Sequence, residues 1–201
     1  MLGTNPFAMA FPAKKAPPII IDMATSATSA AALTAMLGSG NPMPPGILLD
    51  DFGEPTTDMQ KYSRGNPPKG SMGNIANNYK GFAIQLATEV LGGVLPSLMV
   101  GSDAAFNTRF NNPSFLIAIN ISFFQDLDAF KEKIDSRIKQ LKSSARKPGV
   151  GEIFMPGEQS YRNQERNRKE GIPVNEVYWN EIIKLAKELN VTLPDVATAH
   201  A

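Results

Sequence analysis

Three short stretches carry the residue types that could hold a negatively charged or polar ligand: IIIDMATS over 19–26, NNYKG over 77–81 and PGE over 156–158. Lys80 and Gly81 stand where helical spacing begins. A helix start carries partial positive charge, so a cation there is mildly unfavourable unless an anion lies nearby. Lys80 is therefore either a solvated lysine or an anchor for an anion. Gly81 lacks a side chain at a point where backbone could approach a ligand closely. Asp22 follows three isoleucines, at the C-terminal end of an expected strand, where α/β sheets place ligands. The competing reading is an aspartate that opens a turn or caps the next helix. Thr25 and Ser26 are cap residues or hydroxyl donors to an oxyanion. Pro156-Gly157-Glu158 reads first as a turn that places a glutamate in the favourable first turn of a helix. Arg162, Arg166 and Arg168 read as a solvated face with ion pairs, against a phosphate-reading alternative.

Several familiar chemistries are absent from the sequence. No Gly-x-Gly-x-x-Gly joins a strand to a helix, and there is no phosphate-loop GKS or GKT, no His-Glu-x-x-His and no Gly-x-Ser-x-Gly. The one histidine, His200, lies in the polar ATAHA tail and reads as a bystander, which leaves no internal histidine base. With no cysteine, disulfides and thiolate metal sites are excluded. A net charge of +1 gives no electrostatic case for nucleic acid or a membrane surface. The apolar runs, such as 17–21 and 115–119, are too short to span a bilayer, and no signal-peptide pattern opens the chain. A soluble cytoplasmic protein is expected.

The elements that must position these residues follow from periodicity. FAMAF over 7–11 alternates and ends at Pro12, as a short strand does. The β-branched run 19–21 reads as a buried strand, and the Ala-rich segment to about Leu37 reads as a helix stopped by Gly38 and Gly40. Residues 41–73 are rich in Pro, Gly and cap residues and read as loop. Helical spacing returns at 82–95, where Phe82, Leu86, Val90, Ala83, Ala87 and Leu91 are expected to form the apolar face. Phe115 to Ile119 reads as a second buried strand. Leu127, Phe130, Ile134, Ile138 and Leu141 mark an amphipathic helix, and two further helices are expected over 158–170 and 175–189. The expectation is an α/β domain over residues 1–145, followed by a helical segment over 146–201.

In order along the chain, GTNPFAMAFP, IIIDMATS, GEPTTD, YKGFAIQLATEVLGGVL, FLIAI, FMPGEQ and ERNRKEGIPV resemble the malate/L-lactate dehydrogenase type 2 family, which includes sulfolactate, ureidoglycolate and diketogulonate enzymes. The resemblance covers nearly the whole chain. It implies hydride transfer between a nicotinamide cofactor, NAD or NADP, and a 2-hydroxy acid or its 2-oxo form. It also implies a family-specific, non-Rossmann mixed sheet with helices, and a homodimer. The cofactor contacts it implies match Asp22, Met23, Ala24, Lys80, Gly81, Pro156, Gly157 and Glu158, with Thr4 and Asn5 near the substrate. No catalytic residue is assigned within the chain. Family enzymes extend further at the N-terminus, where the resemblance places the catalytic histidine, so a fragment inactive alone is expected. A binding or assembly remnant and one half of a split enzyme are the alternatives. Tyr79 occupies the place where relatives more often carry a histidine before the Lys-Gly pair.

Overall fold

The computed structural model describes residues 2–38, 41–63, 69–97 and 113–193. His200 and Gly40 lie outside them. Strand β1 (Phe7–Phe11) pairs antiparallel with β2 (Ile19–Met23), in a register that sets Phe7 opposite Met23 and Phe11 opposite Ile19. Pro12 closes the first strand and Pro17-Pro18 precede the second, since proline cannot donate to a ladder. Both strands are only partly covered, so β2 is less buried than its three isoleucines suggest.

Helix α1 (Ala30–Gly38) follows, capped by Ser29, whose Oγ accepts from the Ala32 N–H at 3.1 Å. Three short strands fold the loop-rich region into a second sheet: β3 (Leu48–Leu49) lies between β4 (Pro55–Thr56) and β5 (Ser71–Met72). Leu33 of α1, Met43 and Leu48 are almost completely buried there, with Met36, Leu37, Ile47, Met59, Tyr62 and Met72 packed around them. Both sheets are wholly antiparallel, so the α/β class holds while a mixed sheet does not occur among the described residues.

Helix α2 (Tyr79–Glu89) runs into a wider π turn over Val90–Val94. The expected helix is present, but its covered face differs from the expected one. Gly81 and Gln85 are buried, whereas Phe82 (49%), Leu86, Val90 and Leu91 stay exposed. The residues that touch the rest of the chain recur every four positions and are small or polar. The strand expected over Phe115–Ile119 is also absent: this segment has no regular structure and Leu116 is 90% exposed. Its β-branched, aromatic composition favours a strand, but a strand needs a neighbour to bond, and none of the described residues lies in register with it.

Helix α3 (Leu127–Lys142) is capped by Asp126 and attached to the β1–β2 connection. Asp135 accepts three successive main-chain N–H bonds there, from Lys14, Lys15 and Ala16. Those donors hold its carboxyl below the ordinary range, against the opposing effect of desolvation. Helices α4 (Glu158–Glu170) and α5 (Glu176–Glu188) complete the chain. No helix among the described residues is long and apolar enough to cross a membrane.

Candidate functional site

Strand β2 and its continuation join the candidate segments. On its outer edge, the Ile20 N–H donates to the Pro156 carbonyl at 3.1 Å. Main-chain groups in an antiparallel pair alternate between partner and outer edge. Asp22, two residues on, therefore also turns its N–H and C=O away from β1, towards the edge that carries the Pro156 bond. Past the strand, the Thr25 N–H bonds the Thr4 carbonyl at 3.0 Å, and the Thr25 carbonyl accepts from Ile75 at 2.9 Å. Ala27 bonds Gly73, and Ser26 pairs with Asn74. The residues leading into α2 are thus fixed to the end of β2. Thr25 and Ser26 do not cap α1. The buried Thr25 hydroxyl donates to the Asn5 carbonyl at 2.7 Å, and the Ser26 hydroxyl to the Thr28 carbonyl at 2.6 Å.

At the start of α2 the cap is Asn78, whose Oδ1 accepts from both the Lys80 and Gly81 N–H groups, at 2.9 and 3.2 Å. These two amides are committed within the chain, which leaves the Lys80 ammonium as the charged donor for an anion here. That ammonium lies 5.9 Å from the centre of the Tyr79 ring and forms no ion pair with a described residue. Gly81 has an internal reason to be glycine. A Cβ would run into the Asn74 side chain, 2.9 Å from its Cγ, and would lie 3.1 Å from the Ala76 nitrogen. Asn74 in turn shapes the turn by accepting from Ala76 and Asn78.

The 156–158 turn is fixed from both sides. Gly157 has φ +85°, and a Cβ there would stand 2.9 Å from the Ile20 Cβ and 3.1 Å from its carbonyl oxygen. Glu158 opens α4, but its carboxylate is engaged within the chain. It accepts from Lys142 Nζ at 2.7 and 2.9 Å, from Arg162 at 2.6 Å and from the Met155 N–H at 3.0 Å. Glu152 joins the cluster, bridging Lys142 at 3.0 Å and taking a two-pronged contact from Arg162 at 2.6 and 2.9 Å. The Arg162 guanidinium also stacks 5.0 Å from the centre of the Phe154 ring. The Arg162 contact holds the Glu152 carboxyl down at about 2, with Lys142 adding to it. Lys142 holds Glu158 below its ordinary value, and the two glutamates raise Lys142. What the turn can offer a ligand is accordingly its main chain, with the Glu158 side chain as an internal brace.

Four supporting residues escape a motif-based reading: Gln85, Glu89, Lys142 and Glu152. Buried Gln85 donates to the Gly3 carbonyl at 2.8 Å. Asn5, held at φ +39°, donates through Nδ2 to the Gln85 carbonyl at 3.1 Å and to the Glu89 carboxylate at 2.7 Å. The available signal was spacing: Gly81, Gln85 and Glu89 recur every four residues, a small-and-polar stripe beside the apolar one. Residues 3–5, 20–27, 73–85 and 155–158 thus form one connected arrangement around β2. Its exposed chemistry is a strand edge at Asp22, an ammonium at Lys80 without an ion partner among the described residues, and a left-handed turn at Gly157.

A sequence profile described as malate/L-lactate dehydrogenase matches residues 1–183. A malate dehydrogenase of Pyrococcus abyssi is 31% identical over 95% of this chain and 54% of its own length. An L-sulfolactate dehydrogenase of Methanothermobacter thermautotrophicus is 33% identical over 96% of this chain and 54% of its own. Among solved structures, malate dehydrogenase from Entamoeba histolytica superposes with a TM-score of 0.84 at 25% identity, covering 96% of this chain and 56% of that one. A malate/lactate dehydrogenase from E. coli, described as putative, gives 0.70 at 27% identity. The chain spans about half the length of the curated relatives it matches. A profile match over most of the chain, the order of its motifs and the shared fold lead to one conclusion: the chain belongs to the malate/L-lactate dehydrogenase family.

Proposed function

We propose that this chain is the dinucleotide-binding part of an NAD- or NADP-dependent 2-hydroxy acid dehydrogenase. The observation that carries this reading is that the 156–158 turn is bonded to the outer edge of the strand holding 22–23, while the segment leading into 80–81 is bonded to the residues just past that strand. The residues fit such a group. Main-chain donors and acceptors at Asp22 and Ala24 suit a polar heterocycle or ribose, and the Lys80 ammonium suits a phosphate or carboxylate. When bound, the nicotinamide supplies hydride transfer to or from the carbon bearing the hydroxyl. Met23 closes the strand, and the Gly157 main chain borders Ile20 on its outer edge. Thr4 and Asn5 stand next to this arrangement, as a substrate-side contact would.

In this reading the binding part is non-Rossmann; the lack of a glycine fingerprint and of a parallel strand pair among the described residues supports that. In this reading residues 1–145 form the α/β cofactor-binding unit and 146–201 a helical segment that lends the 156–158 turn to the same site. The working form is a cytoplasmic homodimer. A carbonyl that accepts hydride also needs a proton, and a histidine is suited to give it near neutral pH. No described side chain around β2 is assigned that part; in this reading the donor is supplied from outside this chain, and the chain alone binds without turning over.

Titration of the purified chain with NADH and NADPH, followed by calorimetry, tests this reading. Saturable binding that Lys80→Ala weakens about tenfold, with an unchanged melting temperature, is the expected outcome. Unchanged affinity in Lys80→Ala returns that residue to an ordinary solvated lysine. Steady oxidation of malate or lactate by the chain alone contradicts the outside proton donor. A folded chain that binds neither nucleotide supports the remnant reading instead.

A further inference from the structure

We propose that Asn5 presents a hydrogen-bond acceptor, and no donor, to the bound ligand, so that it recognises an O–H or N–H group and not a carboxylate. An asparagine amide ordinarily offers both: two N–H bonds to donate and an oxygen with two lone pairs. Here both donor positions are spent. Nδ2 bonds the Gln85 carbonyl at 3.1 Å and the Glu89 carboxylate at 2.7 Å. Each of those partners is an acceptor, so the amide cannot be turned over without setting oxygen against oxygen twice. The carbonyl oxygen, Oδ1, is left beside Gly3 with no donor among the described residues.

Three further features keep that oxygen in place and uncovered. The Asn5 main chain is held at φ +39°, a conformation asparagine tolerates better than most residues, by the buried Thr25 hydroxyl on its carbonyl at 2.7 Å. Gly3 leaves space beside Oδ1, where a Cβ would come within 3.1 Å of it. Buried Gln85 fixes the Gly3 carbonyl at 2.8 Å, which fixes that space. Glu89, at the far end of α2, is therefore a positioning residue: it touches no ligand but decides which end of the Asn5 amide does.

The inference rests on the dinucleotide reading above. Within it two groups have the right chemistry, the carboxamide N–H of the nicotinamide and the hydroxyl of a 2-hydroxy acid. Asn5→Gly removes the side chain while accepting the positive φ. Wild type and Asn5→Gly are titrated with NADH and with its acetylpyridine analogue, which keeps the ring carbonyl and lacks the N–H. They are then titrated, saturated with NAD, with lactate and with its O-methyl ether. A preference of about fivefold for NADH, as one net hydrogen bond gives, that disappears in Asn5→Gly identifies the carboxamide as donor. The same loss of preference in the second pair identifies the hydroxyl. If Asn5→Gly leaves both preferences unchanged, the proposal is overturned.

Side-chain amide NMR gives a readout independent of any ligand. The Asn5 NH2 protons exchange slowly with water in wild type, rapidly in Glu89→Ala, and slowly again in Glu89→Gln, which keeps an acceptor. Equal exchange in all three, with melting temperatures showing folded samples, also overturns the proposal. Wild type that keeps the slow Asn5 amide but binds no dinucleotide places the failure in the cofactor reading, and the ligand role of Asn5 falls with it.

Discussion

Gly157 and Thr25 are the two single residues on which the arrangement around β2 depends most. Gly157→Ala places a methyl at φ +85° and within 2.9 Å of the Ile20 Cβ, so strain and collision act together. A cost of about 1–3 kcal/mol is expected, seen as a lower midpoint in urea and accompanied by loss of NADH affinity. Thr25→Val keeps the shape but leaves the Asn5 carbonyl without its 2.7 Å donor. Thr25 is fully buried, so that change should cost about 1–2 kcal/mol, while Thr25→Ser should recover most of it. An unchanged midpoint in Thr25→Val would show that water replaces the hydroxyl. At this scale the sequence marked Lys80, Gly81 and Gly157 as special, but for Gly81 the reason was local. Its missing side chain makes room for Asn74, seven positions earlier and outside the motif. Asn5, Gln85 and Glu89 meet only through folding, 80 or more residues apart, and no local pattern carries that pairing.

Among the elements, the junction of α3 and α4 has the most definite electrostatic behaviour. Glu152 and Glu158 are both depressed below 4.5, Glu152 to about 2, by the Arg162 and Lys142 contacts described above. Because the folded values lie below the unfolded ones, the stability from these pairs is fully present above pH 4.5 and is lost as pH falls towards 2. The Met155 amide donates to Glu158 and so reports on the cluster. Its NMR shift should titrate with a midpoint below 4.5, and Glu158→Gln should remove the titration. A midpoint at the ordinary carboxylate value would mean that the ion pairs do not persist in solution. Elements with strong periodicity were legible in advance: β1, α3 and α5 stand where alternation or helical spacing put them, and α4 where a charged run ends at Gly171. The face of α2 and the state of 115–119 were not, because apolar composition says what could be buried and not what is present to bury it.

For the molecule as a whole, the chain accounts for about half the length of its relatives, and its surface carries many apolar side chains. Leu116, Ile117, Ile119, Phe123 and Phe124 are all at least 69% exposed. Exposed apolar patches of this kind drive association. The isolated chain should therefore sediment as a concentration-dependent species larger than 21.7 kDa, and Leu116→Glu with Phe123→Glu should shift it towards monomer. A monomer at all concentrations would contradict the homodimer. Family membership was readable from the order of weak motifs, whereas the reason those motifs belong together, their shared attachment to β2, required the fold. The central claim is that this attachment makes one dinucleotide site, and amide chemical-shift mapping on addition of NADH tests it most directly. The account predicts saturable shifts concentrated at Asp22, Ala24, Lys80 and Gly157. Shifts that avoid these four residues, or none at saturating NADH, would contradict it.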